Sequence, residues 1–314
     1  FSDISYFAST LTGYNEEFKF SGLFRGQVSN LRGKDLLLSF SDNSYLMANF
    51  TMIGLPDIKS AFIHCDITSL ETNSADLQNL KIPGGNNDTH LKLPDMITGL
   101  GIIKYSGMFT GYIDDFVAYG KFFTSLGEFS SDILLKPDTA NTLYFQGKLK
   151  TKEFFLGKLM KQDSLVGRIT MNANINGYTS KKGLFAKMDG LIDSLEFNRY
   201  DYKNIHMAGT LTDKVFDGSF NISDPNIKLD FLGKVNFSNE NPEFAFTADV
   251  SRARPYYLHL ENTDPSYFAS FLLETNFTGK TIDQLNGEIR IVNSLFRKKD
   301  TQLQMYNFRL LAIN

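Results

Sequence analysis

The sequence predicts an all-β chain of antiparallel strands built about one long apolar face. Three observations carry this expectation: apolar and polar residues alternate strictly over short runs, turn-forming clusters separate the runs, and helical patterns are few and brief. Composition agrees, with 29 Phe, 14 Tyr and no Trp among 314 residues. Phe suits strands and buries a large area without a polar atom to satisfy.

Alternating runs occur at Phe18–Phe24, Leu36–Phe40, Phe62–Ile67, Lys203–Leu211 and Gln302–Leu311. The clearest stretch lies between residues 216 and 250. Phe216, Gly218, Phe220 and Ile222 alternate with Asp217, Ser219 and Asn221. The cluster Asp224-Pro225-Asn226 follows as a turn signal, then Ile227, Leu229 and Phe231 alternate with Lys228 and Asp230. Val235 and Phe237 continue the pattern, and after Asn239-Glu240-Asn241-Pro242 come Phe244, Phe246, Ala248 and Val250. Glycines recur at a spacing that suggests a strand plus a turn: Gly147, Gly157, Gly167 and Gly177 are ten apart. Such glycines mark hairpin turns, or points of bending and close backbone approach.

Short helices are expected over Asp3–Thr10, Ser74–Leu80, Pro94–Leu100 and Asp264–Glu274. In the last, Asp264-Pro265 offers an N-cap followed by Pro at the first helical position. The segment Ser5-Tyr6-Phe7-Ala8-Ser9 recurs as Ser266-Tyr267-Phe268-Ala269-Ser270. Read as a long-period repeat, it divides the chain into residues 1–260 and a further unit over 261–314, opened by a short helix.

The net charge of −3, from 32 basic and 35 acidic residues, argues against a nucleic-acid partner, which needs a basic excess on one face. Lys181-Lys182 and Arg297-Lys298-Lys299 read as solvated turns. Leu143-Tyr144-Phe145-Gln146-Gly147 resembles the core of a tag-removal protease site, but it fits the local strand pattern and is read as native. The chain opens in mid-pattern without Met, and is read as a piece of a longer protein whose targeting segment lies outside it. No apolar run is long enough to cross a bilayer as a helix.

No catalytic, cofactor or metal site is expected. Cys65 is the single cysteine, and His64 points to the opposite face of any strand that holds it, so the two do not form a thiol–base pair. His64, His90, His206 and His259 lack partners at metal-ligand spacing. Asp114-Asp115 is an adjacent acidic pair whose members face opposite sides of a strand. Nucleotide-binding glycine loops and the nucleophile elbow are missing from the sequence. Asn-x-Ser/Thr triplets such as Asn49-Phe50-Thr51 are expected by chance in an Asn-rich chain.

One stretch carries a family resemblance. Leu100-Gly101-Ile102-Ile103-Lys104-Tyr105-Ser106-Gly107-Met108-Phe109-Thr110-Gly111 runs on to Asp115-Phe116-Val117-Ala118-Tyr119-Gly120 and Phe123-Thr124-Ser125-Leu126-Gly127. With Tyr202–Leu211, Phe216-Asp217-Gly218 and Ser223–Val235, it resembles the middle region of TamB-like proteins of the AsmA-like superfamily. Gly54-Leu55-Pro56-Asp57 and Ser74-Ala75-Asp76-Leu77 fall where such proteins have similar runs.

The resemblance implies an elongated, curved antiparallel sheet that forms a U-shaped, taco-like hydrophobic groove. It implies a periplasmic segment of an inner-membrane-anchored conduit that reaches the outer membrane and carries phospholipid between the two. The expected partners are phospholipid and, through regions outside this chain, the inner membrane and an outer-membrane barrel protein such as TamA. Alternation nominates the lining: Phe216, Phe220, Ile222, Leu229, Phe231, Val235, Phe237, Phe244 and Phe246. The competing expectation is a structural or adhesive β-repeat protein with a closed, dry core.

Overall fold

The computed structural model describes residues 19–41, 43–57, 60–79, 98–112, 115–137, 142–180, 183–261, 263–280 and 284–313. They form an all-β chain, with 17 strands in one antiparallel sheet. The strands are β1 Lys19–Gln27, β2 Asn30–Ser41, β3 Ser44–Ile53, β4 Phe62–Asn73, β5 Ile102–Tyr112, β6 Asp115–Thr124, β7 Gly127–Pro137, β8 Leu143–Phe155, β9 Val166–Ser180, β10 Gly183–Phe197, β11 Tyr200–Thr212, β12 Val215–Ser223, β13 Ile227–Asn236, β14 Glu243–Ala253, β15 Phe268–Thr278, β16 Asn286–Lys298 and β17 Thr301–Ala312. Two compact units divide the chain: Phe1–Asp138 with Thr151–Lys161, and Thr139–Lys150 with Gln162–Asn314.

In the first unit, β1 to β7 pair in sequence order. The end of β8 joins them, where the Phe155 N–H donates to the Leu126 carbonyl at 2.7 Å. A six-residue helix, Ser74–Asn79, follows β4 as the sequence suggests. Asn73 caps it, its Oδ1 accepting the Asp76 N–H at 2.9 Å. The Asp76 carboxylate accepts the Ser41 and Ser44 hydroxyls, and these bonds hold its pKa below the ordinary value.

In the second unit, β9 to β17 pair in sequence order through eight antiparallel registers. The connections are short because the turn chemistry is local. Asn198 and Arg199 both take positive φ, 49° and 63°, as a two-residue hairpin turn matched to strand twist requires. Asp224-Pro225-Asn226 turns β12 into β13, with the Asp224 N–H donating to the Ile227 carbonyl at 2.9 Å.

Glycines stand opposite one another across strands. Gly209, Gly218 and Gly233 form such a row on β11, β12 and β13, and Gly107 faces Gly120 on β5 and β6. A Cβ on Gly218 would fall 2.5 Å from the Gly209 Cα, so the row lets neighbouring backbones approach closely. Over Gly120 lies the ring of Tyr105, whose hydroxyl donates to the Tyr119 carbonyl at 3.0 Å. The ten-residue glycine spacing does not count strands, because Gly167 and Gly177 both lie in β9, a strand of 15 residues.

The helix expected over Asp264–Glu274 is not formed; Phe268–Thr278 is strand β15, paired on both sides. Asp264 accepts the Ser266 N–H at 2.9 Å and the Ser266 hydroxyl at 2.7 Å, closing a local turn. The N-cap residue and Pro265 therefore mark a turn into a strand, and the ladder bonds to β14 and β16 override helical propensity. The expected helix over Asp3–Thr10, most of that over Pro94–Leu100, and the pair Lys181-Lys182 lie outside the described residues. Asp115 pairs with Lys136 at 2.8 Å, whereas Asp114 lies outside the described residues.

Candidate apolar face

The second unit presents the nominated residues on one face of the sheet. The register sets Phe216 opposite Val235, Phe220 opposite Phe231 and Ile222 opposite Leu229. The next strand brings Phe244 opposite Val235 and Ala248 opposite Phe231. Because side chains alternate across a strand, these pairings place every nominated residue but Phe237 on one side.

An aromatic ladder runs across the strands. Phe220 stacks on Phe231 with ring centroids 4.5 Å apart, Phe231 meets Phe246 at 4.9 Å, and Phe244 stacks on Phe277 at 4.7 Å. Phe237 lies just past the end of β13 and contacts Phe244 edge-on at 5.8 Å.

Burial differs along the face. Phe231 and Ile222 are buried, at 8% and 7% exposure. Phe216, Phe220, Leu229, Val235, Phe244 and Phe246 are half-buried, and Phe237 is 53% exposed. The same face extends beyond the nominated residues. Ile205, Met207 and Leu211 on β11 oppose Ile222, Phe220 and Phe216, while Phe271 and Phe277 on β15 oppose Val250 and Phe244. Gly209 interrupts the apolar pattern of β11, and β15 carries the consecutive run Phe271-Leu272-Leu273, so periodicity alone gives those strands a weaker signal.

One end of this face is covered. The segment that follows β14 folds back, and Leu258 is fully buried among Val250, Ala253 and Ala269. Tyr200, Tyr202, Ile227, Leu229, Phe271 and Phe296 pack against that cluster. Leu229 thus lines a sealed end, while Phe237 marks the opposite, exposed end.

A buried polar network accompanies the seal. Asp224, 1% exposed, accepts the Tyr200 hydroxyl at 2.5 Å, the Lys203 N–H at 3.1 Å and the Asn226 N–H at 2.8 Å. Burial first, then the hydrogen bond to Asp224, pushes the Tyr200 pKa up to about 12.

Charged residues occupy the other side. Asp217 lies opposite Lys234, Asn221 opposite Asp230, and Ser223 opposite Lys228. Glu274 accepts from Arg290 at 2.8 Å, and Glu288 accepts two bonds from Arg309 at 2.8 and 2.9 Å.

The first unit repeats the arrangement. Phe122 stacks on Phe129 at 4.5 Å, Tyr105 meets Phe122 at 4.5 Å, and Phe109 meets Phe116 at 4.6 Å. Cys65 lies opposite Phe109 on this apolar face, and burial raises its pKa, which disfavours the thiolate. His64 points the other way, where its Nδ1 lies 2.9 Å from the Thr110 hydroxyl.

Comparison with family models, with curated proteins and with solved structures returns no match.

Proposed function

We propose that the apolar faces of this chain bind lipid acyl chains, and that the chain is a segment of a conduit moving phospholipid across a Gram-negative periplasm. The observation that carries the reading is an aromatic ladder left half-exposed on one side of a sheet whose charges lie on the other. A two-layer core of this size buries its inward side chains almost completely. Here Phe216, Phe220, Phe244 and Phe246 keep part of their surface available.

The physics needs no covalent step. Each acyl methylene withheld from water is worth about 0.8 kcal/mol, so an aromatic strip holds a chain without fixing its register. A lipid slides along such a strip while its headgroup stays in water. A passive surface only equilibrates its cargo, so direction comes from the membranes and partners at either end. The resemblance to TamB-like proteins supports periplasmic location, inner-membrane anchoring and an outer-membrane barrel partner, all as parts of this proposal.

A closed, dry core is the second reading, and the Leu258 seal favours it at one end. Extraction of the purified protein with organic solvent, followed by mass spectrometry, separates the two. Co-purifying phospholipid is expected from the wild type, and little from Phe244→Asp, which places a charge on the half-buried part of the ladder. A wild-type protein without lipid sinks the conduit reading.

A further inference from the structure

The polar side of the first unit holds a concentration of positive charge that the apolar face does not explain. Arg25 on β1 lies directly opposite Arg32 on β2. Like charges in that position repel across an antiparallel pair. The row continues through Thr51 on β3 to His64 on β4. Lys34 sits two residues from Arg32 on the same side of β2. These groups surround a depression of about 420 Å³ whose lining also includes Leu23, Gly33, Asn49 and Phe50 and contains no carboxylate. Arg25, Arg32 and Lys34 make no ion pair among the described residues, whereas Lys104 and Lys136 in the same unit pair with Glu71 and Asp115 at 3.1 and 2.8 Å. Asp66, opposite Asn49 on β4, is exposed and outside the lining.

We propose that this depression binds a phosphate-type oxyanion, held by Arg25, Arg32 and Lys34 with Asn49, Thr51 and His64 as further hydrogen-bonding groups. Guanidinium pairs suit phosphate because their planar N–H forks match two of its oxygens at once. An anion between Arg25 and Arg32 converts their repulsion into two attractive contacts. Within the first unit, Arg25, Arg32, Thr51 and His64 lie on the opposite side of the strands from Cys65 and Phe109, and the site stands independently of the acyl-chain reading. Its oxyanion is either a soluble phosphate or the headgroup of an anionic lipid.

Titration calorimetry of the whole chain with inorganic pyrophosphate tests the site, with vesicle flotation on phosphatidylglycerol and on phosphatidylcholine as the second arm. Wild type is expected to bind pyrophosphate one to one, and Arg25→Gln/Arg32→Gln to weaken it by at least about tenfold, the scale of losing a charge-assisted bond. Lys34→Gln is expected to weaken it less, and Lys121→Gln, an exposed cation elsewhere in the same unit, to leave it unchanged. Flotation with phosphatidylglycerol alone, lost in the double variant, assigns a lipid headgroup; pyrophosphate binding without flotation assigns a soluble phosphate. If wild type binds neither probe, or the double variant binds as tightly as wild type, the proposal is overturned. In that case the arginines only keep this exposed strand surface solvated.

Discussion

Replacing Gly218 by Ala isolates what the glycine row contributes. Gly218 has no positive φ in the left-handed range, so alanine fits its backbone conformation. On that ground alone the change stabilises, by about 0.4–1 kcal/mol, through the unfolded chain. Space decides otherwise. The new Cβ would lie 2.4 Å from the Ala208 carbonyl oxygen and 2.5 Å from the Gly209 Cα, both backbone atoms. β11 and β12 must therefore separate locally by roughly 1 Å, a strain of the kind that costs about 1–3 kcal/mol. The expected net effect is a loss of about 1–2 kcal/mol. Gly233→Ala should lose more, because φ of +145° adds backbone strain to a Cβ placed 2.4 Å from the Ala245 carbonyl oxygen. Urea unfolding followed by far-ultraviolet circular dichroism measures both, and an unchanged m-value with a lower midpoint is the expected signature. A higher midpoint for Gly218→Ala would refute the close-approach argument.

Two further outcomes follow from burial and titration. Phe231→Ala should cost about 3 kcal/mol, near the lower bound for a buried Phe because its half-exposed neighbours Phe220 and Phe246 can close in. Phe237→Ala, at a site 53% exposed, should cost under about 1 kcal/mol, and the two midpoints in urea measure the contrast. Tyr200 gives a pH dependence of defined sign. Its hydroxyl ionises at about 12 in the folded protein, and near the ordinary value of about 10 when unfolded. Its stabilisation is fully present below about pH 10 and declines as pH rises from there to about 12, because the unfolded state sheds its proton first. Thermal midpoints taken from pH 9 upward should fall less steeply for Tyr200→Phe than for wild type.

Much of this was legible in the sequence because the signal was local. Alternation from Phe216 to Val250 identified β12, β13 and β14, and Asp224-Pro225-Asn226 identified a turn. The register then followed from short hairpins, which leave little freedom in which residues face one another. What escaped was set by distant contacts. Asp264-Pro265 satisfies the rules for a helix start, yet the ladders to β14 and β16 claim the residues that follow. Leu258 lies in a turn segment without periodicity, and its burial depends on Val250, Ala253 and Ala269 meeting there. Ile222, Leu229 and Phe231 share one alternation pattern with Phe237, but only the fold separates buried and sealed positions from exposed ones. The Arg25–Arg32 pairing was equally invisible, because neither residue interrupts its strand pattern and only the register sets them face to face.

The most direct test of the lipid-binding face compares neighbouring residues of one strand. A photo-crosslinking amino acid is placed at Phe220 or Phe244 on the apolar face, and at Ser219 or Ala245 on the opposite side, in protein produced in a Gram-negative periplasm. Phospholipid adducts are expected at positions 220 and 244 and at neither 219 nor 245. Equal capture on both sides, or none at the aromatic positions, would contradict the assignment of this face as the lipid-carrying surface.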